Sequence, residues 1–417
     1  MKVIIVCLEF ARMQRARSLA EGLSLAGHEV VYVTAEARAA DPCYATIVVP
    51  FQSAGGRVKR AVGLGAEDNI AQVARTRGRF AERIVRTGAS FYETFFQHPD
   101  RFHGWIGACR RQLRALPAEL GNADIVIASF SPATALVVGR ALAQRLRVPL
   151  VLDFRDLWTD NGTYRFRGIR RTIDRWLERR LIRAASALTS AAPDFTATLE
   201  RRYPGVLATT VYTGVDTAPW QTPEERMPDG TLRFGHFGVW YAGRRTIRPL
   251  LESVRRLANS GRIDPARAEV HMYGYVDDTV SRDATETGLA DALHLHGWIP
   301  PSDVPAAVGT VDIALLLAWP EDVSSVPLKT YHYLAAGKTI LLLGARPESE
   351  MRRILEPLPG VDCPDTPEEL DACVLRYWEM ARARASFSWT LETRPLPFTR
   401  DTMTSEFLRV IGQACTL

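Results

Sequence analysis

VDIALLLAWPEDVSSVPLKTYHYLAAGKTILLLG, residues 311–344, reads as strand, loop, helix, turn, strand. Residues 311–317 are a short apolar run, the pattern of a strand covered on both faces. Residues 319–325 are a polar loop. Ser324 or Ser325 is placed to cap a helix, with Pro327 in its first turn, where no N–H is needed. Leu328, Tyr331, Leu334 and Ala335 recur at helical spacing. Gly337 ends the helix, and residues 339–343 form the next strand.

This unit carries Lys329 in the first turn of its helix. Unpaired N–H groups and a partial positive charge make a helix N-terminus receptive to phosphate. Lys2, Lys59, Lys329 and Lys338 are the only lysines among 52 basic residues, so Lys329 stands out in an arginine-dominated chain. A solvated surface lysine has the same local pattern, and the segment alone leaves both readings open.

The segment P-x-K-x-x-x-Y-L-A-x-G-K, residues 327–338, resembles the donor site of retaining glycosyltransferases of family 4. That resemblance implies an α/β chain of GT-B fold: two Rossmann-like, doubly wound parallel-sheet domains facing a central cleft.

The totals are compatible with it. A chain of 417 residues accommodates two domains, and an apolar content of 47% with a mean hydropathy of −0.08 is that of a soluble protein with real cores. No apolar run approaches the roughly 18 residues of a membrane span. MKVIIVCLEF, residues 1–10, reads as a first strand rather than a signal peptide, because Glu9 and Arg12 follow a short apolar run. Cys7, Cys43, Cys109, Cys363, Cys373 and Cys415 have no C-x-x-C spacing, which argues against zinc and disulfides and for the cytoplasm. Residues 1–210 carry a net charge of +12 and residues 211–417 one of −7. The basic half suits an anionic partner: a membrane surface, nucleic acid or a phosphorylated acceptor. Arginines on solvated faces give the same total.

Outward along the chain, residues 2–8, 14–26 and 30–33 read as β-α-β, the start of an open parallel sheet. The loop between holds Arg12, with Arg15 opening the helix. Loops at strand carboxyl ends build α/β sites, so both arginines are candidates to face an anionic acceptor. Residues 69–118 read as helical, with aromatics such as Phe80, Phe91 and Trp105 taken as core. Strands at 123–129 and 149–153 flank a helix at 133–145. D-F-R-D-L-W, residues 153–158, follows and is similar to the family's D-x-R-D-x-W segment, which places Asp153, Arg155 and Asp156 on the acceptor side of the cleft. Residues 168–185 form an amphipathic helix, with Ile169, Ile173, Trp176, Leu177 and Leu181 on one face and arginines on the other. Its preferred reading puts the apolar face in the core; an anionic membrane surface is the alternative.

T-G-V-D, residues 213–216, resembles the turn into the family's second domain, and the polar, proline-rich stretch after it reads as a linker. The expected domains are therefore 1–212 (acceptor side), a linker at 213–231, a donor domain at 232–385, and a segment at 386–417 whose helix returns to the first domain. A strand at 232–237 leads into G-V-W-Y-A-G-R-R, residues 238–245. Glycines there let a phosphate approach the backbone. The segment is similar to a family Y-G-G-R segment, which implies that Arg244, with Arg245 as neighbour, serves the donor diphosphate. Gly274, after a strand at 269–273, and Trp298 in G-W-I-P complete the expected donor side. His271, His294 and His296 show no metal-ligand spacing and read as structural.

The resemblance assigns catalysis to Arg244 and Lys329, and donor binding to Gly238, Arg245, Gly274, Trp298, Glu321, Ser324, Ser325 and His332. It implies no metal and no cofactor; the nucleotide-diphosphate sugar is a substrate. In one respect the chain departs from the family, where Glu-x7-Glu stands at the positions of Ser324 and His332. An imidazole cannot accept two ribose hydrogen bonds as a carboxylate does, and Glu321 is the nearby substitute. The expected function is retaining sugar transfer in surface-glycan or secondary-metabolite assembly, to a small-molecule, lipid-linked or glycan acceptor, in the cytoplasm or at the inner membrane face. A nucleotide-sugar epimerase fits the motifs less well. A binding-only pseudoenzyme and a glycosyltransferase acting on nucleic acid remain as alternatives.

Overall fold

The computed structural model describes residues 1–8, 14–36, 43–51, 97–162, 164–214, 229–238, 240, 245–387 and 398–416. The chain divides into two compact units, one of residues 1–214 with 400–417 and one of residues 215–399.

In the first unit, β1 (Lys2–Val6), β2 (Glu29–Thr34), β3 (Ala45–Val48), β4 (Ile125–Phe130), β5 (Leu150–Phe154), β6 (Ala187–Ser190) and β7 (Ala208–Thr210) form one sheet in the order β3-β2-β1-β4-β5-β6-β7. All its pairs are parallel. The helices are α1 (Gln14–Leu25), α2 (Gly104–Gln112), α3 (Ala133–Leu146), α4 (Gly168–Ile182) and α5 (Pro193–Arg202). The strands read as near-continuous apolar runs because a parallel sheet is covered on both faces. One core packs around Ile4, Val126, Leu136, Leu152 and Trp105. The other, around Val3, Ile5, Leu19 and Ile127, is closed by Met403, Phe407, Val410 and Ile411 of the last helix, Arg400–Thr416. That helix lies close to α1: a side chain at Gly22 would come within 2.0 Å of the Thr404 hydroxyl.

In the second unit, β8 (Leu232–Phe237), β9 (Ala268–Tyr273), β10 (Leu293–Gly297), β11 (Ile313–Leu317), β12 (Thr339–Leu343) and β13 (Val361–Asp362) form a parallel sheet in the order β10-β9-β8-β11-β12-β13. The helices are α6 (Arg248–Asn259), α7 (Asp278–Glu286), α8 (Val304–Gly309), α9 (Leu328–Ala335), α10 (Glu350–Leu355) and α11 (Pro367–Arg382); the last helix of the first unit is α12. The strand order reverses between β8 and β11, which makes their carboxyl ends the topological switch point, where ligands bind in such sheets.

Several expectations change. Helix α9 starts at Leu328, and its N-cap is Pro327 in extended conformation, with no side-chain cap from Ser324 or Ser325. The Ser325 N–H instead donates to Asp322 Oδ1 at 3.0 Å, so the serines belong to a turn closed by Asp322. Most of the helical stretch expected at 69–118 lies outside the described residues; of its described part, 97–118, only α2 is α-helix, with turns before it and short 3-10 turns after it.

Helix α4 keeps part of the preferred reading, since Leu181 is buried and Leu177 packs against the core, and corrects the rest. Ile169, Ile173 and Trp176 are 72%, 44% and 58% exposed, whereas Arg170, Asp174 and Glu178 are buried. Polar partners explain the inversion. Arg170 Nε donates to Asp174 Oδ2 at 2.8 Å and its Nη2 to the Pro99 carbonyl at 2.7 Å; Tyr164 donates to the same carboxylate at 2.6 Å. Thr159 and Tyr203 donate to Glu178. Burial alone would raise the Asp174 carboxyl, but hydrogen bonds from His98, Tyr164 and Arg170 hold it below the usual range.

A second buried ion pair ties α1 to the sheet. Arg15 Nη2 donates to Asp153 Oδ1 at 2.8 Å and its Nη1 to the Val211 carbonyl at 2.7 Å. Ser129 and Thr189 donate to the same carboxylate at 2.9 and 2.8 Å. Both charged side chains are almost fully buried. Removing one partner leaves the other charge uncompensated, which costs about 3–5 kcal/mol. Urea denaturation of Asp153→Ala is expected to show a loss of that size, and Arg15→Met with Asp153→Leu a smaller one.

Candidate functional site

At the switch point the backbone is stripped of side chains. Strand β8 runs into Gly238 (φ +133°) and β9 into Gly274 (φ +116°). A Cβ on Gly274 would lie 2.2 Å from the Gly238 carbonyl oxygen, so glycine is required there by contact as well as by conformation. The Gly238 N–H donates to the Tyr273 carbonyl at 2.8 Å, and the Gly274 N–H to the Gly297 carbonyl at 2.6 Å. Three strand ends are thereby locked together with bare backbone between them.

Lys329 lies over this floor. Its Nζ is 3.4 Å from the position that a Cβ on Gly238 would take. The neighbour that receives it is His236: the His236 Nδ1–H donates to the Leu315 carbonyl at 3.2 Å, which leaves Nε2 to accept from Lys329 Nζ at 2.9 Å. Burial, then the Lys329 charge, holds the imidazole well below its ordinary pKa. Burial, then the Arg245 guanidinium, holds the Lys329 ammonium well below its own. No carboxylate among the described residues enters that balance. Helix α9 adds the partial positive charge of its N-terminus, and it is fixed to β8 by Tyr333, whose hydroxyl accepts from the Phe237 N–H at 3.1 Å. An anion on the glycine floor would relieve the crowding of positive charge.

The other expected donor residues lie in the same unit. His332 lies three residues beyond Lys329 on α9, and burial lowers its pKa to about 4, so it is neutral at physiological pH. Ser324 and Ser325 are half-buried in the preceding loop, while Glu321 is exposed. Trp298 is exposed just beyond β10. Arg244 lies outside the described residues, as does Arg12. In the first unit Arg15 and Asp153 engage each other inside the domain, so Arg15 is a structural cation and not one turned outward to an acceptor. Arg155 and Asp156 form a half-exposed pair at 3.3 Å. His236 was missed by sequence reasoning. The available signal was alternation: residue 236 shares the core-facing register of Leu232 and Phe234, where a polar side chain needs a purpose.

Comparison with known proteins supplies the wider context. Residues 13–214 match the family described as glycosyl transferase 4-like domain. Among solved structures, HepE of Anabaena in complex with UDP-glucose superposes with a TM-score of 0.57 at 13% identity, covering 99% of each chain. The fold is GT-B. Sucrose-phosphate synthase of Thermosynechococcus elongatus gives 0.57 at 13% identity over 99% of this chain and 98% of that one. WaaG, a glycosyltransferase of lipopolysaccharide biosynthesis, gives 0.53 at 12% over 99% of both. No curated protein matches in sequence. Among the described residues no helix is long and apolar enough to cross a membrane.

The depressed Lys329 pKa has a defined sign. The folded state binds fewer protons at this site than the unfolded state, so the stability cost of Lys329 shrinks as pH rises toward its ordinary value of 10.5. Urea denaturation of wild type and Lys329→Met at several pH values is expected to show a variant advantage at neutral pH that closes toward pH 10. A pH-independent difference would contradict this.

Proposed function

We propose that the chain is a retaining glycosyltransferase that moves a hexosyl group from a nucleotide-diphosphate donor to an acceptor hydroxyl, with no metal at the donor site. The observation that carries this reading is the uncompensated Lys329 ammonium over the side-chain-free floor of Gly238 and Gly274. The match of residues 13–214 and the UDP and UDP-glucose complexes of the Anabaena neighbour support it.

When the sugar–phosphate bond breaks, its electron pair stays on the diphosphate, and charge grows where Lys329, Arg245 and the α9 N-terminus are gathered. Such preorganised donors stabilise that charge without reorganising. Arg244 has the same role by motif. The acceptor oxygen forms the new bond to the anomeric carbon and its proton leaves; retention follows from the family resemblance, and no carboxylate nucleophile is assigned. Neutral His332 supplies one hydrogen bond to the ribose, and Glu321, on the loop before α9, a second. The first unit takes the acceptor, a small molecule, lipid-linked species or glycan, beside Arg155 and Asp156. Contact with the cytoplasmic face of an anionic membrane is supported by α4, whose exposed Ile169, Ile173 and Trp176 are flanked by exposed Arg165, Arg167, Arg179, Arg180 and Arg183. Ser324 and His332 in place of the family's glutamates favour the second reading, a nucleotide-sugar-binding protein without turnover.

Calorimetric titration of UDP, GDP, ADP, TDP and CDP is expected to identify one ligand. Lys329→Ala weakens it by about 1.5–3 kcal/mol, the range for a charge-assisted hydrogen bond, and lowers transfer by roughly 10²–10³. Binding is expected to take up protons and to weaken as pH rises, because the diphosphate favours charged Lys329. Absence of any nucleotide binding would end this reading; binding without transfer across an acceptor panel would favour the second. For the membrane contact, wild type is expected to co-sediment with phosphatidylglycerol vesicles but not with phosphatidylcholine vesicles, and Ile169→Ser with Trp176→Ser to lose most of that binding.

A further inference from the structure

The edge of the second sheet carries a part-buried cluster that sugar transfer does not use. Strands β9 and β10 are parallel, with His271 in register with His294. Register partners in a sheet share a face, and so do residues two apart on one strand. Glu269, His271 and His294 therefore project from the same side, and His296, where the register shifts, joins them through its contact with His271. The imidazoles stack, His271 on His294 at 4.7 Å and on His296 at 5.2 Å between ring centres.

The ligand atoms converge. One ligating atom each from Glu269, His271 and His294 lies within 4.8 Å of the others. His271 Nε2 is 3.0 Å from Glu269 Oε2. The other ring nitrogen of His271, Nδ1, is 2.9 Å from His296 Nε2. A metal ion with bonds of about 2.0–2.2 Å to nitrogen and carboxylate oxygen holds neighbouring ligand atoms at comparable spacing. Arg233 Nε lies 2.8 Å from Glu269 Oε2 and is the cation facing the cluster; its Nη2 pairs with Asp229 at 2.9 Å. A ligating carboxylate oriented by a further hydrogen bond, and a ligating histidine whose second nitrogen contacts a fixed neighbour, are what a metal site requires around it.

We propose that Glu269, His271 and His294 bind one divalent transition-metal ion of the zinc type, with water completing the coordination. His296 acts as a positioning residue, holding the His271 ring so that Nε2 points at the ion. Two imidazoles and one carboxylate favour zinc, cobalt or nickel over the oxygen-seeking magnesium and calcium. The ion clips the edge strand β10 onto β9, immediately before the turns that carry Gly274 and Trp298. This site stands apart from the transfer reading: it needs neither a nucleotide nor an acceptor. The sequence alone read these histidines as structural, because their spacing is set across strands and not along one.

The test uses the full chain without an affinity tag, stripped with chelator and titrated with zinc chloride by calorimetry. One ion per chain is expected, with a matching rise in melting temperature. His294→Ala, on the edge strand and outside the hydrophobic core, is expected to abolish binding while the melting curve of the metal-free protein stays unchanged. His296→Gln is expected to weaken binding by roughly 10–100-fold, the usual effect of losing an orienting partner, and magnesium chloride to give no signal. A control, Cys43→Ser with Cys415→Ser, removes the exposed thiols and is expected to bind as wild type does. The proposal falls if zinc does not bind, if His294→Ala binds as tightly as wild type, or if the cysteine control abolishes binding.

Discussion

A sheet whose strands all run in one direction buries both of its faces, and that constraint governs this molecule. Every strand pair described in either unit is parallel, so side chains along the strands become core and chemistry is confined to strand ends. The glycine floor and Lys329 follow from it: they stand where β8, β9 and β11 stop. The histidine cluster shows the same constraint relaxed, since an edge strand has one face that no helix need cover.

The two units treat buried charge in opposite ways. In the first, Asp153 meets Arg15 and two hydroxyls, and Asp174 meets Arg170 and Tyr164. These charges are balanced, and what they hold is the packing of α1 and α4 against their neighbours. In the second, Lys329 meets a neutral imidazole and a second cation nearby. Balanced buried charge fixes structure; the part-buried Lys329, which meets no carboxylate among the described residues, is what the proposed donor site rests on.

Legibility in the sequence followed the same division. Strands 232–237 and 339–343 were readable to the residue, because an apolar run between breakers has few other solutions. The place of Lys329 at the start of a helix after a strand was readable too, and the structure adds its contact with His236 and its position over Gly238. The face of α4 was not. Its apolar residues have helical spacing, but the inward face was decided by hydrogen-bond partners from Gln97, Pro99, Thr159, Tyr164 and Tyr203, which no local pattern reveals. Strand β10 escaped because an exposed edge with alternating histidines lacks the apolar signature of its neighbours. The cap of α9 was misassigned because a serine two or three residues too early looks the same on paper.

The last helix carries a consequence for how the molecule is made. Met403, Phe407, Val410 and Ile411 finish the core begun by Val3, Ile5 and Leu19, so the first unit is begun first and completed last. During synthesis its sheet emerges with one apolar face covered by α1 but not yet by α12, and must wait while the whole second unit is translated, at about 5–20 residues per second. The second unit, drawn from one continuous stretch, has no such wait. The assembly order on the ribosome is therefore inverted relative to the order of the chain, and the amino-terminal unit is the one exposed to aggregation in the interval.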